Sequence, residues 1–394
     1  MWIKREIEGL LREISTQRPA LILTGCRQAG KTSLLKRVFP DYNYLSLDVP
    51  AVAEEAEESG QGLLQRHKNP LIIDEVQYAP RLFRYIKNEI DKDRDKNGLY
   101  FITGSQKFSL MEKVSESLAG RIAVIECFPL SAIEFERWKK TPVEGDLLID
   151  LIYKGGYPEL HAKNLDPERF YSDYLATYLE RDVRQVLNVK NLRDFDKFMR
   201  LAAVRTGQQL SLSSFASDIG ISPNTVKNWL SVLEASNIIY LLEPYYKNIG
   251  KRLVKTPKLY FLDTGLAAFL SGIRSPQDLK NSSLLGAFFE THVLGQIIKF
   301  HANRGKQAAI YYFRDHFGHE VDFVIPVGEK LKLFECKWSE NPSSKVGGFQ
   351  EVERLIGDEN IVSQSIIVPA RGFRKTNVPK LFISDSVELK SFEL

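Results

Sequence analysis

Gly25-Cys26-Arg27-Gln28-Ala29-Gly30-Lys31-Thr32 is the stretch on which the fold turns. It fits the pattern G-x-x-x-x-G-K-[ST], and its setting matters as much as its letters. Before it stands Ala20-Leu21-Ile22-Leu23-Thr24, an apolar run of strand length; after it, residues 31–39 resume as a helix that Lys31, Thr32 and Ser33 open. A strand that passes through a glycine-containing loop into a helix aims successive backbone N–H groups and the helix N-terminus at one point, which suits an anion. Within Gly25–Ser33 the glycines let the backbone close on phosphate, Lys31 neutralises charge on the β- and γ-phosphates, and the Thr32 hydroxyl ligates Mg²⁺. The expected ligand is a nucleoside triphosphate with Mg²⁺.

Working outward, short apolar strands recur at Tyr42–Leu47, Leu71–Ile73, Leu99–Thr103 and Ile122–Cys127, with helical segments at 80–92 and 108–119 between them. A short amphipathic helix over residues 1–16 precedes them. Such alternation predicts an α/β fold, a parallel sheet covered by helices. Pro70-Leu71-Ile72-Ile73-Asp74-Glu75 is an apolar strand ending in two carboxylates: Asp74 suits Mg²⁺, and Glu75 suits polarising an attacking water. In Tyr100-Phe101-Ile102-Thr103-Gly104-Ser105, Ser105 is the candidate for sensing the γ-phosphate and Thr103 is its rival.

This order of motifs, followed by Ser117-Leu118-Ala119-Gly120-Arg121, resembles the AAA-type ATPases. The resemblance implies adenine rather than guanine, and no Asn-Lys-x-Asp sequence stands against it. It also implies that Arg121, directly before a core strand, can reach a neighbour's ATP as an arginine finger, which would make the active form a homo-oligomer. A surface arginine capping a helix C-terminus is the other reading of Arg121.

With Gly155-Gly156-Tyr157-Pro158-Glu159-Leu160 and Tyr178-Leu179-Glu180-Arg181-Asp182-Val183 added, the chain resembles one large family of bacterial and archaeal ATPases. The family implies an ATPase core, a helical lid, a winged helix and a C-terminal restriction-endonuclease-like domain. The boundaries expected here are 1–128, 129–205, 206–280 and 281–394. Arg181 and Asp182 suit either a nucleotide or subunit contact or a buried ion pair.

Residues 210–233 read as helix-turn-helix. Leu212–Ala216 opens one helix, Ile219–Ser222 turns, and Pro223 begins a second helix capped by Ser222. That helix buries Val226, Trp229 and Leu230 and exposes Asn224, Thr225, Lys227 and Asn228, which suit base and phosphate contact. The expected hairpin Tyr246–Tyr260 carries Lys247, Lys251, Arg252, Lys255 and Lys258 and no acid. A basic wing beside such a helix suits DNA backbone; protein docking is the competing use.

Further along, Gly318–Ile325 and Leu331–Lys337 alternate in and out, joined by a tight connection at Pro326–Lys330. Period two puts Glu320 with Asp322 on one face, and Glu335 with Lys337 on one face. Asp…Glu-x-Lys across adjacent strands is the metal-dependent signature of restriction-endonuclease-like folds: Asp322 and Glu335 for a second Mg²⁺, Lys337 for the attacking water, and Glu290 from a preceding helix. His292 and His319 lie close by in sequence.

Composition narrows the class. The chain has 394 residues, 43% of them hydrophobic, with a net charge of +4, too weak a bias to imply a partner by itself. Cys26, Cys127 and Cys336 are too dispersed for a disulfide framework or a cysteine zinc site. Charges occupy the N-terminus where a signal peptide needs an apolar run, and no stretch approaches the ~20 apolar residues of a bilayer span. A cytoplasmic, Mg²⁺-dependent ATPase coupled to DNA, with a C-terminal nuclease, is the leading expectation. A regulatory switch whose inactive nuclease-like domain binds a protein partner is the alternative.

Overall fold

The computed structural model describes residues 2–104, 117–178, 192–245 and 255–389. Its first sheet contains β1 (Ala20–Thr24), β2 (Asn43–Ser46), β3 (Leu71–Asp74), β4 (Tyr100–Thr103) and β5 (Ile122–Glu126), all parallel, in the order β2-β3-β4-β1-β5. Strands β1, β3 and β4 are buried at every position, which is why they read as unbroken apolar runs. Helices Lys31–Val38, Pro50–Arg66 and Leu82–Lys92 accompany this sheet, the last burying Leu82, Phe83, Ile86 and Ile90. The order places β4 between β1 and β3, so the loop after β1 and the carboxylates ending β3 lie at the same edge, with Thr103 of β4 between them.

A helical region follows: Ala132–Lys139, Gly145–Lys154, Pro158–Ala162, Pro167–Tyr178 and Leu192–Val204. The first of these starts with a capping box in which Ser131 and Glu134 each bond the other's backbone N–H. The Gly155-Gly156 pair is a matter of space. A Cβ on Gly155 would come within 2.2 Å of the Asp263 carboxylate, and one on Gly156 within 2.6 Å of Leu130 O.

The next two helices run Leu212–Ile219 and Pro223–Ala235, with Ser211 and Ser222 as N-caps and Gly220 in the left-handed region between them. Their aromatic core is Phe195, Phe198, Phe215 and Trp229. Beside them lies a three-stranded antiparallel sheet: β6 (Gln208–Gln209), β7 (Ile239–Leu242) and β8 (Lys258–Phe261), with β8 in the centre. Most of the expected hairpin, 246–254, lies outside the described residues; its last stretch is β8, and the partner strand β7 starts earlier than the alternation suggests.

The C-terminal sheet has six strands in the order β13-β14-β12-β11-β10-β9: β9 (Tyr311–Arg314), β10 (Glu320–Val327), β11 (Lys330–Cys336), β12 (Ile361–Val368), β13 (Phe373–Lys375) and β14 (Leu381–Asp385). Strands β9, β10 and β11 form an antiparallel meander, whereas β11, β12 and β14 are parallel. Helix Gly347–Ile356 lies in the crossover from β11 to β12. The long helix Leu285–Ala302 is buried along most of its length. Through a bridge between Pro244 and Tyr312, with Tyr245 N donating to Tyr312 O at 2.8 Å, the chain leaving β7 is tied to β9. Among the described residues no helix is long and apolar enough to cross a membrane.

Candidate nucleotide site and a second carboxylate cluster

Asp74 is the centre of the first site. Its Oδ1 accepts from the Thr32 hydroxyl at 2.7 Å and from the Thr103 hydroxyl, while Oδ2 accepts from Tyr44 OH at 2.8 Å. Thr103 also receives the backbone N–H of Glu75 at 3.1 Å, so one hydroxyl touches both Asp74, the last residue of β3, and the Glu75 that follows it. Glu75 itself sits in the left-handed region (φ 57°, ψ 50°), a costly conformation for a non-glycine residue that concentrates at functional turns. Its carboxylate accepts from Gln77 Nε2.

The loop shows why its glycines are there. Gly25 has φ 136°, and a Cβ on it would meet Cys127 O at 2.1 Å; Gly30 has φ 87° and opens the helix. The Lys31 ammonium lies on the loop's own carbonyls, 2.9 Å from Gly25 O and 2.8 Å from Cys26 O. Cys26 is buried, which pushes its thiol up to about 11 and keeps it neutral. Gln28 and Ser33 are exposed, Arg27 is half-buried and Ala29 is buried. Hard oxygen donors at Thr32 and Asp74, 2.7 Å apart at the mouth of this loop, fit a Mg²⁺ ion.

Sequence reasoning missed two contributors. Arg5, buried, donates to Glu134 Oε1 at 3.1 Å, to Phe128 O at 2.6 Å and to Ala29 O of the loop at 3.2 Å. Tyr44 was read only as part of a strand. Of the rival sensors, Thr103 reaches Asp74, whereas Ser105 lies outside the described residues. Arg181 and Asp182 lie outside them too. Arg121 forks onto Asp91 of its own chain, Nε to Oδ1 at 2.8 Å and Nη2 to Oδ2 at 3.1 Å.

The second site draws on three elements. Phe323 of β10 faces Phe334 of β11, and continuing that register sets Asp322 opposite Glu335. Glu290 joins them from helix Leu285–Ala302, and Glu320 from the start of β10. Between the carboxylates lies Lys258, from β8 of the preceding sheet. Its Nζ is 3.0 Å from Glu290 Oε1, in contact with Glu320 Oε1, and 4.0 Å from Asp322 Oδ1. The reading of Lys258 as part of an exposed basic wing is therefore wrong: its side chain is 3% exposed. The alternation Lys258, Tyr260 puts both on one face, and Tyr260 OH also donates to Glu290. Lys337 Nζ bonds Glu335 Oε1 at 2.6 Å, and Cys336 N–H bonds Asp322 Oδ2 at 2.7 Å. Glu335 Oε2 is buried and has no hydrogen-bond partner among the described residues.

Electrostatics follow from the crowding. Burial, then the negative charges of Glu290 and Glu335, raise the Asp322 carboxyl well above the ordinary range, and burial raises Glu335. Burial opposes charge on Lys258, but Glu290, Asp322 and Glu320 outweigh it and lift its pKa well above the usual value. Glu290, Asp322 and Glu335 supply hard oxygens, one of them an orphaned buried atom, but among the described residues the ligand atoms that converge closely enough for one ion are those of Asp315, His319 and Glu351, not of these three. His292 stays outside this cluster; burial lowers it to about 3. His319 Nδ1 pairs with Asp315 Oδ2 at 2.8 Å, with Glu351 close by.

On the second capped helix, Asn224, Lys227 and Asn228 are exposed; Thr225 is half-buried, and its N–H and hydroxyl are both engaged with the Ser222 cap. Lys251 and Arg252 lie outside the described residues.

Family comparison agrees with the first sheet. Residues 17–136 match the model of an AAA domain, and residues 145–277 and 285–375 match two domains of unknown function, DUF8612 and DUF4143. With the strand order and the loop, the first match supports a P-loop, AAA-type ATPase core. The chain is 28% identical over 344 residues to an uncharacterised protein of Mycobacterium tuberculosis, covering 86% of this chain and 75% of that one. It is 23% identical over 393 residues to an uncharacterised protein of Methanocaldococcus jannaschii, covering 91% and 84%. Among solved structures, a Walker-type ATPase of Pyrococcus abyssi aligns with TM-score 0.48 and 17% identity, over 68% of this chain and 96% of that one.

Proposed function

We propose that this protein hydrolyses ATP at the loop Gly25–Ser33, with Asp74 and Glu75 as the working carboxylates. The observation that carries the reading is the shared contact of Thr32 and Thr103 on Asp74, with Glu75 turned into the left-handed region beside it. Lys31 leaves two neutral carbonyls for the β- and γ-phosphates, a favourable exchange because an ammonium gains more from an anion than from an amide dipole. Thr32 and Asp74 hold Mg²⁺, which neutralises phosphate charge when bound. Glu75 orients the attacking water and takes its proton. Thr103 keeps Asp74 and the Glu75 backbone in register. The Arg121–Asp91 pair lies within one chain, and an intersubunit finger would require Arg121 to leave it; hydrolysis as described does not depend on that.

In the same proposal the exposed face of Asn224, Lys227 and Asn228 contacts DNA, and the carboxylate cluster of Glu290, Asp322 and Glu335 is a divalent-metal site of nuclease type. The long helix Leu285–Ala302 supports coupling between the two sites. It carries Glu290 toward one end, while Gln296 accepts Ala132 N–H at 2.7 Å and Lys299 donates to Leu130 O at 3.0 Å, on the turn that leaves β5.

The test is Mg²⁺-dependent ATP hydrolysis by the whole chain, with and without duplex DNA, beside Glu75→Gln. Turnover in the parent chain and a loss of ~10²–10⁴-fold in the variant are expected, with stimulation by DNA. Tight ATP binding with no turnover in either chain overturns the enzymatic reading and favours a nucleotide-set switch that docks a protein. The buried seat of Lys258, which ties the nuclease-like cluster to the preceding sheet, is the observation on that second side.

A further inference from the structure

We infer that Tyr44 is a positioning residue of the nucleotide site: its phenol hydroxyl fixes the Asp74 carboxylate so that one acceptor position is left for hydrated Mg²⁺. The inference rests on the reading of Thr32 and Asp74 as the metal seat of an ATP site and adds the residue that aims it.

A carboxylate offers about four lone-pair positions. Among the described residues, three of those on Asp74 are filled. Oδ1 accepts the Thr32 hydroxyl at 2.7 Å and the Thr103 hydroxyl, and Oδ2 accepts Tyr44 OH at 2.8 Å. The position that remains is on Oδ2, and the bond from Tyr44 to that oxygen sets its direction. Thr32 spends its proton on Oδ1, which leaves the lone pairs of its own oxygen for a cation. A phenol donating to a charged acceptor makes a strong bond, and Asp74 is only 6% exposed. Tyr44 itself is 37% exposed, so a side chain that merely filled the edge of the sheet would need no hydroxyl there.

Strand register explains why the residue is a tyrosine. In the parallel pair of β2 and β3, Ser46 stands opposite Asp74 and Tyr44 opposite Ile72. Ser46 serves the turn, accepting Asp48 N–H at 3.4 Å. From position 44 a hydroxyl must reach two residues along the neighbouring strand, roughly 6–7 Å at about 3.3 Å each. A serine or threonine does not cover that span, and a phenol does. The ring is held in turn by Lys36, whose Nζ lies 3.3 Å from its centroid in a cation–π contact. Lys36 follows Thr32 by four residues on helix Lys31–Val38, so the two share a face. Thr32, Asp74, Tyr44 and Lys36 thus close a circuit that begins and ends on the helix leaving the phosphate loop.

The test uses the full chain, with Mn²⁺ and a non-hydrolysable β,γ-methylene analogue of ATP as probes, followed by electron paramagnetic resonance. Mn²⁺ bound without the analogue is subtracted, so that only the nucleotide-dependent seat is read. Tyr44→Phe removes one oxygen from an exposed ring and keeps the face on which Lys36 lies. It should weaken nucleotide-dependent Mn²⁺ binding by roughly 10- to 100-fold, the usual loss when the partner behind a metal-site group is removed. Binding of the analogue in EDTA should not change. Unaltered Mn²⁺ affinity in Tyr44→Phe overturns the proposal. An equal loss of metal-free analogue binding also overturns it, by making Tyr44 a prop for the whole site. A wild-type chain that binds the analogue but takes up no Mn²⁺ with it removes the metal seat at Thr32 and Asp74, and this inference with it. Failure of wild type to bind the analogue at all removes the nucleotide reading itself.

Discussion

The two carboxylate sites handle their lysines in opposite ways. At the first, Lys31 lies on the neutral carbonyls of Gly25 and Cys26, and the nearby Asp74 is held by three hydroxyls, from Thr32, Thr103 and Tyr44. Among the described residues, no charge pair on Lys31 has to break before an anion arrives. At the second, Lys258 is locked among carboxylates and the site carries its own counter-ion. The same residue type, buried in both places, makes one site receptive and the other self-satisfied. What differs is whether the surrounding acceptors are dipoles or charges.

The largest effect should come from the support beneath the first site. Arg5→Met strands Glu134 in the interior and frees Ala29 O and Phe128 O, so unfolding by urea should show a loss of about 3–5 kcal/mol, the usual cost of removing one partner from a buried pair. A loss under 1 kcal/mol would mean that the loop does not depend on this cation. Next, Thr103→Val removes one of three hydroxyls from Asp74. Turnover should fall by roughly 10- to 100-fold, matching about 1.5–3 kcal/mol for one hydrogen bond to a charged group, with little change in nucleotide affinity. An unchanged rate would transfer the sensor role to Ser105.

The effect that is smallest at pH 7, and grows only in acid, tests the helix that carries Glu290. His292 is neutral when folded, because burial lowers it to about 3, against about 6.5 unfolded. Below pH 6.5 the unfolded chain therefore binds the extra proton. Stability should fall as pH drops from 6.5 toward 3, by at most about 1.4 kcal/mol per pH unit. In His292→Gln, thermal melts should lose that part of the slope. Equal slopes in the two chains would mean that His292 is not buried as a neutral ring.

How much of this could be read from the residues alone depended on the range of the interaction. The loop Gly25–Thr32, the strand ending in Asp74-Glu75 and the capped helix at Ser222 are local patterns, because phosphate cradles and caps are made by near neighbours. Strands β12, β13 and β14 went unread: they follow helix Gly347–Ile356, and β12 is buried throughout except at Val362, so it lacks the alternation that marked β10 and β11. Arg5 was illegible because its partner Glu134 stands 129 residues away. Lys258 was misread for the same reason. Within its own segment it belongs to a basic run, and only the tertiary fold supplies the carboxylates that draw it inward.

The helix Leu285–Ala302 has a consequence of its own. From Glu290 to Lys299 it spans nine residues, or about 14 Å at 1.5 Å each, and a packed helix does not shorten. Any ligand that shifts the Leu130–Ala132 turn must therefore do work on the position of Glu290, and any cation that draws Glu290 inward must do the same work in reverse. Thermodynamics makes such a debt mutual: the factor by which nucleotide alters metal affinity is the factor by which metal alters nucleotide affinity. If both sites bind as proposed, one rod joining them would turn a pair of separate titrations into a single measurable quantity, readable from either end.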